Sequence, residues 1–261
     1  MTPDAAWLQA VALGLGAGAL LALAVWAASV PKRDVSIVDS AWGFLVLVPA
    51  LVVAAALPQT GPRAAAVLGL AAAWALRLSL YIARRHRGQP EDRRYQAIRR
   101  RNEPHFQWKS LYLVFGLQAL LGWIVAAPLM AAVASPVPWN GLDLLGLTIA
   151  AAGLLVEAVA DAQMARFRAD PRNRGRVMDR GLWRFSRHPN YFGECCLWWG
   201  LWLVAAAAGA WWTVLSPLLM TVLLLKVSGV PLLEQDLGRH RPGYADYVRR
   251  TPAFVPWRQR G

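Results

Sequence analysis

Long apolar runs separated by short basic segments form the main pattern along this chain. Seven runs approach the roughly 20 apolar residues needed to cross a bilayer, and they lie at about 5–29, 40–57, 64–83, 110–134, 142–160, 191–208 and 211–228. We therefore expect an all-α, polytopic integral membrane protein with seven transmembrane helices. Only Gly209 interrupts the apolar residues between the last two runs, and Pro217 weakens the second, so one kinked span is the alternative.

The positive charges lie almost entirely between these runs. All but two of the 28 Lys and Arg residues fall in segments 30–39, 84–109, 161–190 and 226–261, and the two exceptions are Arg63 and Arg77. With seven spans the four segments share one side of the membrane, which the positive-inside rule makes cytoplasmic. The N-terminus is then expected outside and the C-terminus in the cytoplasm.

Composition supports one membrane-embedded domain over residues 1–261. The chain is 57% hydrophobic and contains 14 Trp, which is more apolar surface than a soluble domain of this length buries. The first run lacks a preceding basic region and a clear cleavage site, so we interpret it as a retained helix. The net charge of +13 comes without a recognisable nucleic-acid-binding module, so we expect no nucleic-acid partner. The adjacent Cys195 and Cys196 indicate no disulfide framework, and no metal site is predicted.

Ionisable and aromatic residues recur at one end of the apolar runs. Arg77 and Tyr81 share a helical face, Asp39 precedes Trp42 by one turn, and the remaining groups are Glu157, Asp161, Arg168, Asn190 and Glu194. Because charges within a membrane are costly and usually serve a site, these residues predict a polar pocket at the basic face. Arginine suits phosphate, and Tyr and Trp can stack on a base, so the pocket is typical of a phosphorylated cofactor. A solvated surface that touches anionic headgroups is the alternative.

Several motifs resemble the membrane-bound steroid 5α-reductase family, in particular its bacterial branch. They are "DAQMARFR", "GLWRFSRHPNYFGE" and the terminal "RPGYADYVRRTPAFVPW", with "VDSAWGF" and "RLSLYIARRHRGQPEDRRY" upstream. The resemblance covers most of the chain from about Asp39 and is strongest in the last 105 residues. It implies a seven-helix enzyme that uses NADPH to reduce the C4–C5 double bond of 3-oxo-Δ4 steroids. Substrate-side helices would occupy about 1–134, and the cofactor-binding part about 142–261.

The resemblance also assigns roles to residues. Asp161, Arg168, Arg176, Asn190 and Glu194 match family positions that bind the cofactor, and His188 and Tyr191 lie inside the same motif. We add to this set the basic and aromatic residues Arg77, Arg85, Arg94, Tyr95, Tyr244 and Tyr247. Asp39 and Tyr81 are expected to polarise the substrate carbonyl, although an ungapped alignment puts Trp74 at the position of the family tyrosine. Trp42 and Trp74 are expected to contact the substrate.

The expected chemistry is hydride transfer to the β-carbon of an enone. Negative charge then develops on the carbonyl oxygen, where an acid or a Tyr hydroxyl stabilises it. The expected partners are a hydrophobic small molecule and membrane lipid, and the expected location is a bacterial inner membrane with the cofactor site facing the cytoplasm. The sequence predicts no oligomeric state.

Two other functions remain open. "RHPNY" followed by Gly and an acidic residue also occurs in sterol reductases of the lamin-B-receptor type, and RHP-x-Y-x-G occurs in isoprenylcysteine carboxyl methyltransferases, which use S-adenosylmethionine. The acidic Glu194 and the abundant arginine favour a reductase over a methyltransferase. A lipid-binding scaffold without catalysis is the other alternative, and the cluster of polar residues disfavours it.

Overall fold

The computed structural model describes residues 5–227 and 243–259, which contain helices and no β-strand. The helices are α1 (Ala5–Lys32), α2 (Ile37–Ala56), α3 (Ala64–His86), α4 (Arg93–Asn102), α5 (Phe106–Ser110), α6 (Leu117–Val125), α7 (Ala127–Ala134), α8 (Gly141–Ala169), α9 (Pro189–Ala207), α10 (Leu215–Val222) and α11 (Tyr244–Arg250). π-Helical turns at Leu111–Gly116 join α5 to α6, and a second π-helical stretch, Leu223–Val227, follows α10. Short 3₁₀ turns lie at Pro171–Asn173, Gly181–Arg184 and Trp211–Val214.

Within residues 5–227 and 243–259, five helical stretches are long and apolar enough to cross a membrane. They are Ala5–Lys32, Ile37–Ala56, Ala64–His86, Phe106–Val125 and Gly141–Ala169, and Trp211–Val227 is a shorter apolar stretch. The prediction of an all-helical protein with several membrane-compatible helices is therefore confirmed. The count of seven spans and the orientation in the membrane stay predictions.

Two of the predicted runs contain breaks with a local cause. The fourth run, 110–134, divides at Ala126, and Pro128 lies in the first turn of α7, where its missing N–H costs no helical hydrogen bond. The apolar residues from 191 to 228 divide at Gly209, which has a φ of 86°, a conformation that favours glycine. The chain therefore forms two separate helices there, α9 and α10.

The described contacts divide the chain into two compact units. The first comprises Met1–Asn140 with Val204–Ser216, and the second comprises Gly141–Leu203 with Pro217–Gly261. In the first unit α1 packs on α2 and α2 on α3, while α6 contacts α1 and α2, and α7 contacts α2 and α3. The assignment of residues 1–261 to a single domain stays a prediction.

The second unit depends on a close approach between α8 and α9. A Cβ atom on Gly153 would lie 2.5 Å from the Gly193 carbonyl oxygen and the Leu197 amide nitrogen, and one on Gly193 would lie 2.6 Å from the Glu157 amide nitrogen. Small residues allow helix backbones to touch in this way in membrane proteins. The first turns of α9, which carry Asn190 and Glu194, therefore lie against the half of α8 that carries Glu157.

Candidate functional site

Asp39, in the first turn of α2, is the centre of a hydrogen-bonded group in the first unit. The Tyr95 hydroxyl donates to its Oδ1 at 2.5 Å, and Arg94 Nη2 donates to its Oδ2 at 2.6 Å. Gln118 Nε2, from α6, donates to the Tyr95 oxygen at 3.0 Å. We call Asp39, Arg94, Tyr95 and Gln118 the Asp39 cluster. It combines a carboxylate, a phenol and a guanidinium within direct hydrogen-bonding distance.

A cap at the start of α4 positions Arg94 and Tyr95. Asp92 accepts a hydrogen bond from the Arg94 backbone N–H at 2.9 Å, which satisfies one of the donors left open at a helix start. The Asp92 carboxylate also accepts from Arg94 Nε at 3.0 Å. The Asp92 backbone N–H in turn donates to Ser36 Oγ at 2.7 Å, which connects α4 to the loop that precedes Asp39.

Two further acids connect the same loop to neighbouring helices. Glu91 accepts from the Val35 backbone N–H at 2.9 Å and from Arg99 Nη2 at 2.7 Å. Asp34 accepts from the Ser36 hydroxyl at 2.7 Å, and its Oδ2 lies 2.9 Å from His86 Nε2 at the end of α3. These contacts hold Asp39 and α4 in one arrangement from several directions.

The electrostatics of the Asp39 cluster keep its donors protonated. Burial, together with the charge of Asp39 and the hydrogen bond to it, raises the pKa of Tyr95 well above its ordinary value. Burial would lower the pKa of Arg94, but Asp39 and Asp92 outweigh this effect and raise it. Tyr95 is therefore a neutral phenol that can donate a hydrogen bond at any physiological pH.

The second unit contains a different group of polar residues around the start of α9. Asn190 Nδ2 donates to Asp161 Oδ1, on α8, at 3.2 Å. The rings of His188 and Tyr191 stack with centroids 5.6 Å apart and planes 4° from parallel. We call Asp161, His188, Asn190, Tyr191 and Glu194 the Asn190 cluster. Asp161, His188 and Glu194 are buried in it.

Two side chains fix the segment that leads into this cluster. Trp183 Nε1 donates to the Ala160 carbonyl oxygen on α8 at 3.0 Å. The Tyr247 hydroxyl donates to the Trp183 carbonyl oxygen at 2.6 Å, and its ring lies 6.1 Å from that of Tyr244. Tyr247, predicted to bind the cofactor, thus uses its hydroxyl to position the chain just before the Asn190 cluster.

The C-terminal segment runs alongside the same stretch. Arg187 N–H donates to the Pro252 carbonyl oxygen at 2.9 Å, and Trp257 N–H donates to the Phe185 carbonyl oxygen at 2.9 Å. Between them, the Ser186 hydroxyl donates to the Phe254 carbonyl oxygen at 2.7 Å. The sequence motifs "RFSRHPN" and "TPAFVPW" therefore form one structural element.

Exposed arginines occupy the last turn of α8 and the connection from α8 to α9. They are Arg166, Arg168, Arg172, Arg174, Arg176, Arg180 and Arg184. Arg172 forms an ion pair with Asp170 at 2.9 Å. Arg168 and Arg176, both predicted to bind the cofactor, lie on this exposed basic segment, where guanidinium groups could take phosphate oxygens.

The remaining predicted residues lie on α2 and α3 of the first unit. Trp42 is half-buried on α2, whereas Trp74 is fully buried on α3. Arg77 is half-buried one turn after Trp74. The Arg85 guanidinium lies 5.9 Å from the centroid of the Tyr81 ring. The phenol that donates to Asp39 is thus that of Tyr95, which the sequence analysis had assigned to the cofactor.

The structure adds residues that the sequence analysis missed. Gln118 is a polar side chain inside an apolar run, and polar groups in membrane segments usually have a functional or structural partner. Asp92 two residues before Arg94 is a helix-capping signal that was also available from the sequence. The described residues include no group of three or more His, Cys, Asp or Glu side chains placed to hold a metal ion.

Comparison with known proteins gives one family. The family model described as "Protein of unknown function (DUF1295)" matches residues 25–251. No curated protein and no solved structure matched the chain in these comparisons. The matched residues include both the Asp39 cluster and the Asn190 cluster. Since the match covers most of the sequence, the chain belongs to the DUF1295 family, which is part of the steroid 5α-reductase-like superfamily.

Proposed function

We propose that the chain is an NADPH-dependent membrane reductase that reduces the C4–C5 double bond of a 3-oxo-Δ4 steroid or a related hydrophobic enone. The observation that supports this most is the Tyr95 hydroxyl held 2.5 Å from the Asp39 carboxylate, with Arg94 on the other carboxylate oxygen. A buried phenol oriented by a neighbouring carboxylate is a hydrogen-bond donor suited to polarise a ketone oxygen.

The chemistry requires a donor where negative charge develops. When hydride reaches the β-carbon of an enone, charge moves to the carbonyl oxygen, and a proton from solvent then adds at the α-carbon to give the saturated ketone. Tyr95 can donate to that oxygen in place of Asp39, because its raised pKa keeps the proton on the phenol. Arg94 then retains Asp39 through its own hydrogen bond. A preorganised donor of this kind lowers the reaction barrier by about 3–4 kcal/mol in measured cases.

This proposal changes one residue of the expected catalytic pair. The sequence favoured Asp39 with Tyr81, whereas the hydrogen bond from Tyr95 to Asp39 favours Tyr95 for the same task. Trp42 and Trp74 are still proposed to contact the substrate.

The second unit offers groups that fit NADPH, which supplies the hydride when bound. Asn190 Oδ1 is buried and has no hydrogen-bond partner within residues 5–227 and 243–259, so it could accept from a ligand amide. Arg168 and Arg176 could take phosphate oxygens. The other predicted cofactor residues, including Arg77, Arg85 and Tyr244, remain part of the proposal.

We propose the same topology as the charge pattern predicts. It has seven spans, an outside N-terminus and a cytoplasmic C-terminus in a bacterial inner membrane, with the cofactor site on the cytoplasmic side. The distribution of the basic segments supports this orientation. A hydrophobic substrate would then enter from the lipid.

The proposal is tested with protein purified in detergent. A cofactor that binds only the folded state raises the melting temperature, so we expect stabilisation by NADPH and a smaller effect of NADH. The matched variants are Asn190→Ala, expected to lose stabilisation by NADPH, and Asn102→Ala, expected to keep it. Asn102 bonds to a backbone carbonyl on α4, away from the Asn190 cluster in sequence.

Turnover provides the second measurement. NADPH oxidation should depend on a 3-oxo-Δ4 steroid and should not occur with the corresponding saturated 3-ketone. Stabilisation by S-adenosylmethionine without any effect of NADPH would reject the reductase in favour of the methyltransferase.

A further inference from the structure

An apolar cavity of about 400 Å³ lies in the first unit, at the end of α1 opposite its basic residues. Its wall includes Leu8, Val11, Trp123, Ile124, Met130 and Leu215. A helix of 28 residues is about 42 Å long, so the start of α1 is far from Lys32 at its end. The cavity is therefore separate from the Asp39 cluster, which lies just beyond that basic end.

Three polar side chains in the cavity wall bond to backbone carbonyls and not into the cavity. The Ser216 hydroxyl donates to the Val125 carbonyl oxygen at 2.7 Å, and the Thr213 hydroxyl donates to the Ala210 carbonyl oxygen at 2.8 Å. Trp123 Nε1 donates to the Val11 carbonyl oxygen at 3.1 Å. A water molecule in a protein cavity needs two to four polar partners, and these three groups already have theirs. The cavity is consequently suited to hydrocarbon.

The chemistry of the wall also selects among hydrophobic ligands. A steroid ketone in this cavity would receive no hydrogen bond from these three groups in exchange for those its oxygen makes with water, which is costly. A plain hydrocarbon chain loses none. The bilayer supplies such chains, and the helices that form the wall, α1 and the stretch ending at Val125, are both long and apolar enough to cross it.

Two tryptophans place the cavity near the membrane surface. The rings of Trp7 and Trp212 meet edge to face with centroids 6.3 Å apart, and both belong to the cavity wall. Tryptophan concentrates where acyl chains meet headgroups. A lipid headgroup could remain outside at this level while one of its chains enters between the helices.

We propose that this cavity binds one acyl chain of a membrane phospholipid, as a structural lipid site away from the Asp39 cluster. The bound chain would cover Leu8 and Leu215 of the wall, both of which are exposed in the structure. It would hold the first turns of α1 against α6, α7 and the turn Trp211–Val214.

The test uses full-length protein in vesicles that contain phosphatidylethanolamine with a photoreactive diazirine on one acyl chain. We expect cross-links in peptides that include residues 7–11, 123–130 and 212–216 to exceed those in other apolar segments. Ala127→Phe and Val11→Phe, which fill the cavity from two walls, should each lose this enrichment. Ala19→Phe, an exposed position on α1 outside the cavity, should keep it.

Native mass spectrometry of the detergent-solubilised protein gives an independent readout. The native chain and Ala19→Phe should retain one phospholipid, and a variant with a filled cavity that elutes as a single folded species should retain none. Uniform cross-linking along all apolar segments would overturn the proposal. Displacement of the cross-linking lipid by a 3-oxo-Δ4 steroid at low concentration would also overturn it, because the cavity would then be a ketone site.

Discussion

In the first unit, acids at or beside the Asp39 cluster have cationic or hydroxyl partners at the start of α2 or α4, whereas the second unit combines buried acids with exposed arginines. Asp39 lies between Arg94 and Tyr95, and Asp34 lies beside His86. In the second unit Asp161 and Glu194 are buried, while the arginines of residues 166–184 are exposed. A site whose carboxylate charge is balanced by a bonded arginine suits an uncharged ketone. Exposed arginines suit the negative charge of phosphate. The two units are thus suited to different halves of one proposed reaction.

The largest expected effect comes from disrupting the pair in the Asp39 cluster. Tyr95→Phe should lower kcat for steroid reduction by about 10²–10³, the loss typical when one oxyanion donor is removed. Asp39→Asn should also lower kcat, because the side chain that orients Tyr95 and Arg94 loses its charge. The measurement is single-turnover reduction of a 3-oxo-Δ4 steroid at saturating NADPH. Tyr81→Phe is the control and should stay within about threefold of the native chain on the same reasoning. If Tyr81→Phe were as inactive as Asp39→Asn, the pair expected from sequence would be correct and Tyr95 would have another role.

The next effect concerns the exposed arginines of the second unit. Arg168→Gln and Arg176→Gln should each weaken NADPH binding by about ten- to a hundredfold, since a hydrogen bond to a charged group contributes about 1.5–3 kcal/mol. Arg172→Gln is the matched control, because Arg172 is committed to Asp170. The affinities can be measured by fluorescence titration with NADPH and NADH. Equal affinities for all three variants would mean that this basic segment serves membrane contact.

The difference between local signals and long-range contacts explains which features the sequence could predict. Hydropathy and charge predicted an all-helical protein with several membrane-compatible helices, because each of these signals is local. The expected sites of Asp39 and Asn190 rested on the cost of polar groups near lipid and on resemblance. The pairing of Tyr95 with Asp39 needs α4 to return to the start of α2, 56 positions away, and periodicity carries no such information.

The contact between the motifs "RFSRHPN" and "TPAFVPW" could not be predicted for a related reason. Ser186 and Phe254 are 68 positions apart, and the contact joins a side chain to a backbone carbonyl, which leaves little trace in residue type. The close approach of α8 and α9 had a weak signal in Gly153, Gly193 and Gly200. That signal was hidden because alanine and glycine are common throughout the apolar runs.

The close approach in the second unit provides a test of stability. Gly153→Ala should lower the free energy of unfolding by about 1–3 kcal/mol, because the added methyl group would meet backbone atoms of α9 that cannot move aside. Gly69→Ala, on α3 where nothing lies within 4 Å, should be neutral or stabilising. Thermal unfolding in detergent measures both. A Gly153→Ala protein as stable as the native chain would show that α8 and α9 are not in close backbone contact.

The smallest effect is expected when the pH is lowered and Asp34, in the loop before α2, becomes protonated. Burial would raise the pKa of Asp34, but hydrogen bonds from Ser36 and the contact with His86 outweigh it and hold the pKa below its ordinary value. A lowered pKa in the folded state means that the contribution to stability is complete above the unfolded pKa of about 4 and disappears as the pH falls below it. Thermal unfolding from pH 6 to pH 3 should therefore show a smaller loss of melting temperature for Asp34→Asn than for the native chain.

Asp170→Asn distinguishes this effect from ordinary acid destabilisation. The pKa of Asp170 is also lowered, by the side-chain and backbone hydrogen bonds from Arg172, but Arg172 itself is exposed to solvent. Solvent screens an exposed pair, so its removal should leave the acid profile of the native chain unchanged. If both variants had the same profile as the native chain, the contacts of Asp34 would not stabilise the loop before Asp39, and the Asp39 cluster would have to be held by α4 and α6 alone.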